Sequence, residues 1–316
     1  MKVFLAKNLK EAISVAEEEK TKGAFVVAVE AEWGDEALES PYADIALNHH
    51  GSRASNPCPS EIGIVAPQVV ELCKKHKNKT YIVSHIDADT IFGIMWCEGL
   101  FDAEKGYAPD LVQIAKMVAF TDKNGRHIAM SELEALNDTD AFKKWLSLGL
   151  LFSRNAISFK GDISEHVAKI IYAASQIIFS KNIKESQIYK EALEWEAGKA
   201  KSAKEAITYK DDILLGFASK KFMCDNYALF ADEDGIVRKI IIQYDLHNKS
   251  ILLAAYDAKT AQDFFGKKGV VGPLQDFFGN EAGGHIAIGG SPRNKPMKWQ
   301  DYKKFLKFIK SKIWEK

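Results

Sequence analysis

His85, Asp87 and Asp89 stand two residues apart in the stretch TYIVSHIDADTIFGI, residues 80 to 94, where an apolar run meets three ionisable groups. In an extended backbone, residues i, i+2 and i+4 point to one side, so these side chains are expected to converge. A helix would turn residues two apart away from each other by about 200 degrees. Imidazole with carboxylates suits Mn²⁺, Mg²⁺ or Fe²⁺ better than soft ions. A bound dication would also relieve the repulsion between the two aspartates. The plainer alternative is that the aspartates cap the helix that follows; capping accounts for one of them and leaves His85 without a role.

Three other islands carry similar chemistry. In ALNHHG, 46–51, His49 and His50 are adjacent. On a strand they point to opposite faces, so one can join a metal site while the other meets substrate; a solvent-facing pair in a loop is the competing reading. Asp122 ends the helix-like LVQIAKMVAFTD and is either a further ligand or a helix-terminal aspartate. In AGGHIAIGGSPR, 282–293, Gly283, Gly284 and Ser291 let the backbone approach an anion. His285 can carry a proton there, and the guanidinium of Arg293 suits a phosphate or carboxylate. A glycine-rich turn with an incidental histidine is the alternative. Taken together the islands fit one chemistry: two divalent ions about 3.5–4 Å apart share and activate a water for in-line attack on phosphorus.

The elements that must position these groups follow from hydrophobic pattern. Residues 8–20 carry Leu9, Ala12, Ile13 and Ala16 on one helical face. The valine-rich run 23–33, the short run before Asn48 and the run before His85 read as strands; 66–78 and the non-alternating 90–101 read as helices. Strand and helix alternating at these lengths predict an α/β unit around a mostly parallel sheet, with the ionisable groups at strand C-termini, the usual site in open α/β folds. Helical periodicity dominates 108–209. After 210 come strands at 227–245, with a turn at Asp234-Gly235, and at 249–258; the basic amphipathic segment 301–316 has Phe305, Phe308, Ile309 and Ile313 on its apolar face. No repeat or low-complexity segment appears. The expected fold class is therefore α/β: a mostly parallel-sheet N-terminal domain with a helical extension, 1–209, plus a smaller C-terminal α/β domain, 210–316.

Composition sets outer bounds. A chain of 316 residues is long enough for two cores. Its 43 basic and 43 acidic residues cancel, so no global positive field draws in long nucleic acid. Cys58, Cys73, Cys97 and Cys224 are scattered without a Cys-x-x-Cys spacing, as in a reduced, intracellular protein. The N-terminus is too interrupted by charge for a signal peptide, and no apolar run is long enough to cross a bilayer. The expectation is a cytoplasmic protein with no membrane partner.

Four motifs resemble those of the DHH/DHHA1 phosphoesterase superfamily, which includes RecJ-like and oligoribonuclease-like members. SHIDAD, 84–89, resembles its first motif; NHHG, 48–51, its Asp-His-His motif; FTD, 120–122, its later aspartate; and AGGHIAIGG, 282–290, the glycine-rich motif of its C-terminal domain. The resemblance implies His49, His85, Asp87, Asp89 and Asp122 as metal ligands and His50 near the substrate or leaving group. It implies Gly283, Gly284, His285, Ser291 and Arg293 as substrate-binding, with two Mn²⁺ ions, or Mg²⁺, as cofactors. Three departures stand out. Thr90 replaces a glycine, Asn48 replaces an aspartate, and NHHG precedes SHIDAD where the family has the opposite order. The separate acidic residue that completes the family's site has two candidates, Asp44 and Glu30. The implied activity is a metal-dependent phosphoesterase acting through a metal-activated water on a small nucleotide or short oligonucleotide. Hydrolysis of pyrophosphate or polyphosphate, and a nucleotide-binding protein without turnover, are the alternatives. The implied partners are a small phosphorylated or nucleotide substrate or a short single-stranded nucleic acid; a homodimer is compatible with the sequence.

Overall fold

The computed structural model describes residues 1–31, 33, 40–49, 56–101, 110–155, 160–204, 206–219, 236–292 and 295–314. The chain divides into two units, Met1–Ala119 with Ala135–Leu193, and Phe120–Glu134 with Glu194–Lys316.

In the first unit the three predicted apolar runs become strands β2 (Phe25–Val29), β3 (Ile45–Leu47) and β4 (Lys79–Val83), joined by β1 (Lys2–Leu5), which the sequence reading did not single out, and the short β5 (Gly161–Asp162). The sheet order is β3-β2-β4-β1-β5. β3, β2, β4 and β1 run parallel, and β5 pairs antiparallel with β1. Every residue of β4 is buried, which is why its sequence does not alternate: a central parallel strand is covered on both faces. The helix Leu9–Thr21 starts where Asn8 accepts the Glu11 N–H at 2.9 Å. It presses Ala12 and Ala16 against Val26, Ala28 and Ile82 of the sheet. On the helix Ala88–Cys97 each residue from Asp89 to Cys97 is buried. The turns beneath it leave no space for a side chain at Gly63, where a Cβ would lie 2.1 Å from the Trp96 ring. Helices Asp140–Arg154 and Ser164–Ile178 pack on each other.

In the second unit β6 (Ile207–Lys210), β7 (Leu214–Ser219), β8 (Ile240–Asp245), β9 (Ser250–Ala255), β10 (Gly283–Gly284) and β11 (Ile288–Gly290) form a sheet ordered β10-β11-β9-β8-β7-β6. Only β7 and β8 are parallel among these pairs. The turn expected at Asp234-Gly235 lies outside the described residues. Helices Ala258–Phe265, Val271–Phe278 and Trp299–Trp314 bury Ala261, Leu274, Tyr302, Phe305, Ile309 and Ile313 in one core with the sheet, and Phe308 packs against it. The apolar face read from 301–316 is thus used within its own unit. At the scale of five residues there is one repeat: Gln-Asp-Phe-Phe-Gly ends both Ala258–Phe265 and Val271–Phe278. Gly266 (φ 79°) and Gly279 (φ 90°) adopt the same left-handed stop.

The first sheet is mostly parallel with helices and the second is smaller and mixed, so both predicted layers are present. Among the described residues no helix is long and apolar enough to cross a membrane.

A candidate metal centre

Strands β3, β2 and β4 are neighbours, run the same way and end on the same side of the sheet. The first residues beyond those ends are Asn48 and His49, Glu30, and Ser84 and His85. Glu30 has φ of 49°, a left-handed conformation that a long side chain adopts at a cost. Its carbonyl is gripped from β4, because the Ser84 hydroxyl donates to it and the Ser84 N–H lies 3.4 Å away. This bend turns Glu30 into the protein, where it is completely buried.

His49 is the hub. Its Nε2 lies 3.3 Å from Glu30 Oε1 and 3.3 Å from Asp89 Oδ2, with all three side chains at most 1% exposed. Its Nδ1 lies 3.5 Å from Cys58 Sγ. Asp89 comes from the first turn of the helix Ala88–Cys97, and its Oδ1 accepts the Ser60 N–H at 2.9 Å. Cys58 Sγ is in turn 3.8 Å from the Ala119 carbonyl oxygen on the helix Leu111–Asn124. Asp122 lies nearly one turn further along that helix. His49, Cys58, Asp89 and Asp122 each offer a ligand atom within 4.8 Å of the others. Two donors about 2.1 Å from one ion sit roughly 3.0–3.4 Å apart, which the spacing of Nε2 from both carboxylates matches. The chain therefore holds a buried His/Cys/Asp/Asp cluster able to coordinate a metal ion. Two hydroxyls beside it, those of Ser60 and Thr90, are buried with no hydrogen-bond partner among the described residues.

The structure separates the triplet that opened the sequence reading. β4 stops at Val83 and a helix begins at Ala88, so the three residues do not share one extended strand: His85 meets Asp87, and Asp89 faces His49. Asp87 is the helix N-cap: its Oδ1 accepts the Thr90 N–H at 2.9 Å, and its Oδ2 lies 3.1 Å from His85 Nε2. The Ser84 hydroxyl is 3.0 Å from His85 Nδ1. The Asp87 side chain is 37% exposed and that of His85 21%, whereas Asp89 is buried. The cap uses only the Oδ1 of Asp87, whereas Asp89 makes no cap and faces His49.

The remaining candidates are placed as follows. Asn48 fastens a loop, its Oδ1 accepting the Ala31 N–H at 3.1 Å and its Nδ2 donating to Ser40 Oγ at 2.9 Å. Asp44 precedes β3 and pairs with Lys20 at 3.0 Å and the Val26 N–H at 2.8 Å, at the opposite end of the sheet from Glu30. In the second unit, His285 Nε2 lies 3.3 Å from Asp122 Oδ2. Gly283 and Gly284 pair with Gly290 and Gly289 in a hairpin so close that a Cβ on Gly284 (φ 146°) would lie 2.4 Å from Gly289 Cα. Their small size answers to strand packing and not only to access by an anion. The Ser291 hydroxyl accepts the Ile251 N–H at 3.0 Å and is buried. His50 and Arg293 lie outside the described residues. Sequence reasoning missed Cys58, which it took as one of four ordinary thiols, and its only signal was a position nine residues after His49.

No protein-family profile and no curated protein matches the sequence. Among solved structures the chain aligns with the crystal structure of an uncharacterized protein from Helicobacter pylori G27. The two are 13% identical, the alignment covers 98% of this chain and 81% of that one, and the TM-score is 0.23.

Proposed function

We propose that the protein is a metal-dependent phosphoesterase of the DHH type that hydrolyses a small nucleotide or short oligonucleotide. The observation that carries this reading is the hub at the ends of three parallel strands, with His49 Nε2 3.3 Å from both Glu30 Oε1 and Asp89 Oδ2. Glu30, His49, Asp89 and Asp122 would hold a first ion, of which Mn²⁺ fits the oxygen-rich donor set best. His85 Nε2 and Asp87 Oδ2, 3.1 Å apart, would offer two donors to a second. When bound, divalent ions lower the pKa of water and stabilise charge on a phosphoryl group.

The chain's own residues do the rest. Burial of Glu30, His49 and Asp89 excludes bulk water from the donors. Ser60 N–H fixes Asp89 through one carboxylate oxygen and leaves the other aimed at the hub. His285, Arg293 and the hairpin glycines take the anionic end of the substrate, and His50 assists the leaving oxygen.

The test is hydrolysis with added Mn²⁺ of 3′,5′-bisphosphorylated adenosine, a short RNA, a cyclic dinucleotide, single-stranded DNA and pyrophosphate, by the wild type and Asp89→Asn. Turnover of a phosphodiester or phosphomonoester, lost by orders of magnitude in a folded variant, is expected. Turnover of pyrophosphate alone would move the assignment to phosphoanhydrides. Metal binding without turnover of any substrate would leave a binding protein.

A further inference from the structure

We propose that Cys58 acts on His49 and not on the ion: its sulfur accepts the Nδ1 proton, so that the Nε2 lone pair is presented between Glu30 and Asp89. The inference rests on the reading that a metal is held at this hub. The two nitrogens of an imidazole point away from each other. Here Nε2 faces two carboxylate oxygens at 3.3 Å and Nδ1 faces Cys58 Sγ at 3.5 Å. An ion on Nε2 therefore lies across the ring from the sulfur.

The direction of the thiol proton supports the same assignment. Sγ lies 3.8 Å from the Ala119 carbonyl oxygen, a group that accepts and cannot donate. With the S–H turned there, the sulfur lone pairs remain for Nδ1–H, giving the chain Nδ1–H to Sγ–H to the Ala119 oxygen. A neutral imidazole carries one N–H, and placing it on Nδ1 leaves Nε2 bare as a ligand. Without an ion Nε2 faces two carboxylate acceptors and takes the proton itself, so the Nδ1–H tautomer belongs to the metal-loaded protein.

Cys58 is well held for this task. It is fully buried, and it opens the short helical turn Pro59–Glu61, whose Glu61 carboxylate reaches back to the Cys58 N–H at 3.4 Å. Ser60, on the same turn, supplies the N–H that fixes Asp89. One turn of chain thus orients two donors from behind, through a thiol and a backbone amide. Cys58 is a positioning residue.

Three readouts test this. In the Co²⁺-loaded wild type no thiolate-to-cobalt charge-transfer band is expected. Mn²⁺ affinity of Cys58→Ser, whose hydroxyl also accepts and donates, should stay close to wild type, while Cys58→Ala binds about 10-fold or more weakly; Cys58→Val, nearer in volume, replaces alanine if that variant does not fold. In the Zn²⁺-loaded protein a protected His49 Nδ1–H resonance should appear for wild type and Cys58→Ser and be lost to exchange in Cys58→Ala. A charge-transfer band that vanishes in Cys58→Ser would make the sulfur a direct ligand and overturn the proposal. So would undiminished Mn²⁺ affinity in both Cys58→Ala and Cys58→Val, or a bare Nδ1. If the wild type binds no ion, the phosphoesterase reading fails and the proposal with it, whereas a loaded protein that shows the cobalt charge-transfer band overturns the proposal alone.

Discussion

Glu30 and Asp44 show how one residue's place at a strand end decides its chemistry. Both were candidates for the acidic group missing from the motif set, and both flank short apolar runs. Glu30 follows β2 and reaches the hub; Asp44 precedes β3 and ties down the start of β2. The signal was present in sequence as an ionisable residue directly after a valine-rich run, the same pattern that marked Ser84 and His85. What sequence could not supply was the order of strands, which sets β2 between β3 and β4. Glu30→Gln should therefore abolish the rise in thermal stability that Mn²⁺ gives the wild type. That rise corresponds to about 2.7 kcal/mol at a metal concentration 100 times the dissociation constant. Asp44→Asn should leave it intact. Equal loss in both variants, read by calorimetry, would remove Glu30 from the ligand set.

At the scale of elements, the helix Ala88–Cys97 is the part of the site that local reasoning located but mis-shaped. Its nine buried residues were legible as a non-alternating apolar run, whereas its start at Ala88 was not, because IDAD can continue a strand or cap a helix equally well. Asp87 settled it by accepting the Thr90 N–H. Asp87→Ala should cost about 1 kcal/mol through the lost cap, and Asp87→Asn much less, since asparagine caps as well as aspartate; urea unfolding of the metal-free proteins separates the two. The helix Leu9–Thr21 carries a second, pH-dependent tie. Glu19 bonds Lys2 and Lys22, each at 2.8 Å, and Thr80 at 3.1 Å. The Lys2 and Lys22 ammoniums, with the Thr80 hydroxyl, hold its carboxyl down to about 2 from an ordinary 4.5, against the opposing effect of burial. A carboxylate lowered on folding stabilises fully above its unfolded value, and that contribution disappears as pH falls from 4.5 through 2. Wild type should exceed Glu19→Gln in urea midpoint at pH 6, and the difference should shrink steadily on acidification. A gap independent of pH would assign the effect to packing.

For the whole molecule, each unit has its own apolar core, and the first three donors of the hub all belong to the first. Glu30, His49 and Asp89 are fixed by strands β2 and β3 and by the helix Ala88–Cys97, next to a core of Ala12, Ala16, Val26, Ala28 and Ile82. The second core centres on Phe305, which contacts Phe277 and Phe278 edge-on or tilted at 5.2 and 4.9 Å between ring centroids, beneath Ile240, Ile242 and Leu253. The switch between helical and strand periodicity near 210 was legible in sequence, while the division inside the helix Gln187–Lys204 carries no signal, because a continuous helix shows no break in pattern where packing changes partner. The two cores give a test that separates stability from site chemistry. Phe305→Ala removes a fully buried ring and should cost about 3–5 kcal/mol, lowering the melting temperature by several degrees. Below that temperature its Mn²⁺ affinity should equal that of the wild type, because Glu30, His49 and Asp89 belong to the other unit. A parallel fall in affinity would mean that the second core helps to set the donors.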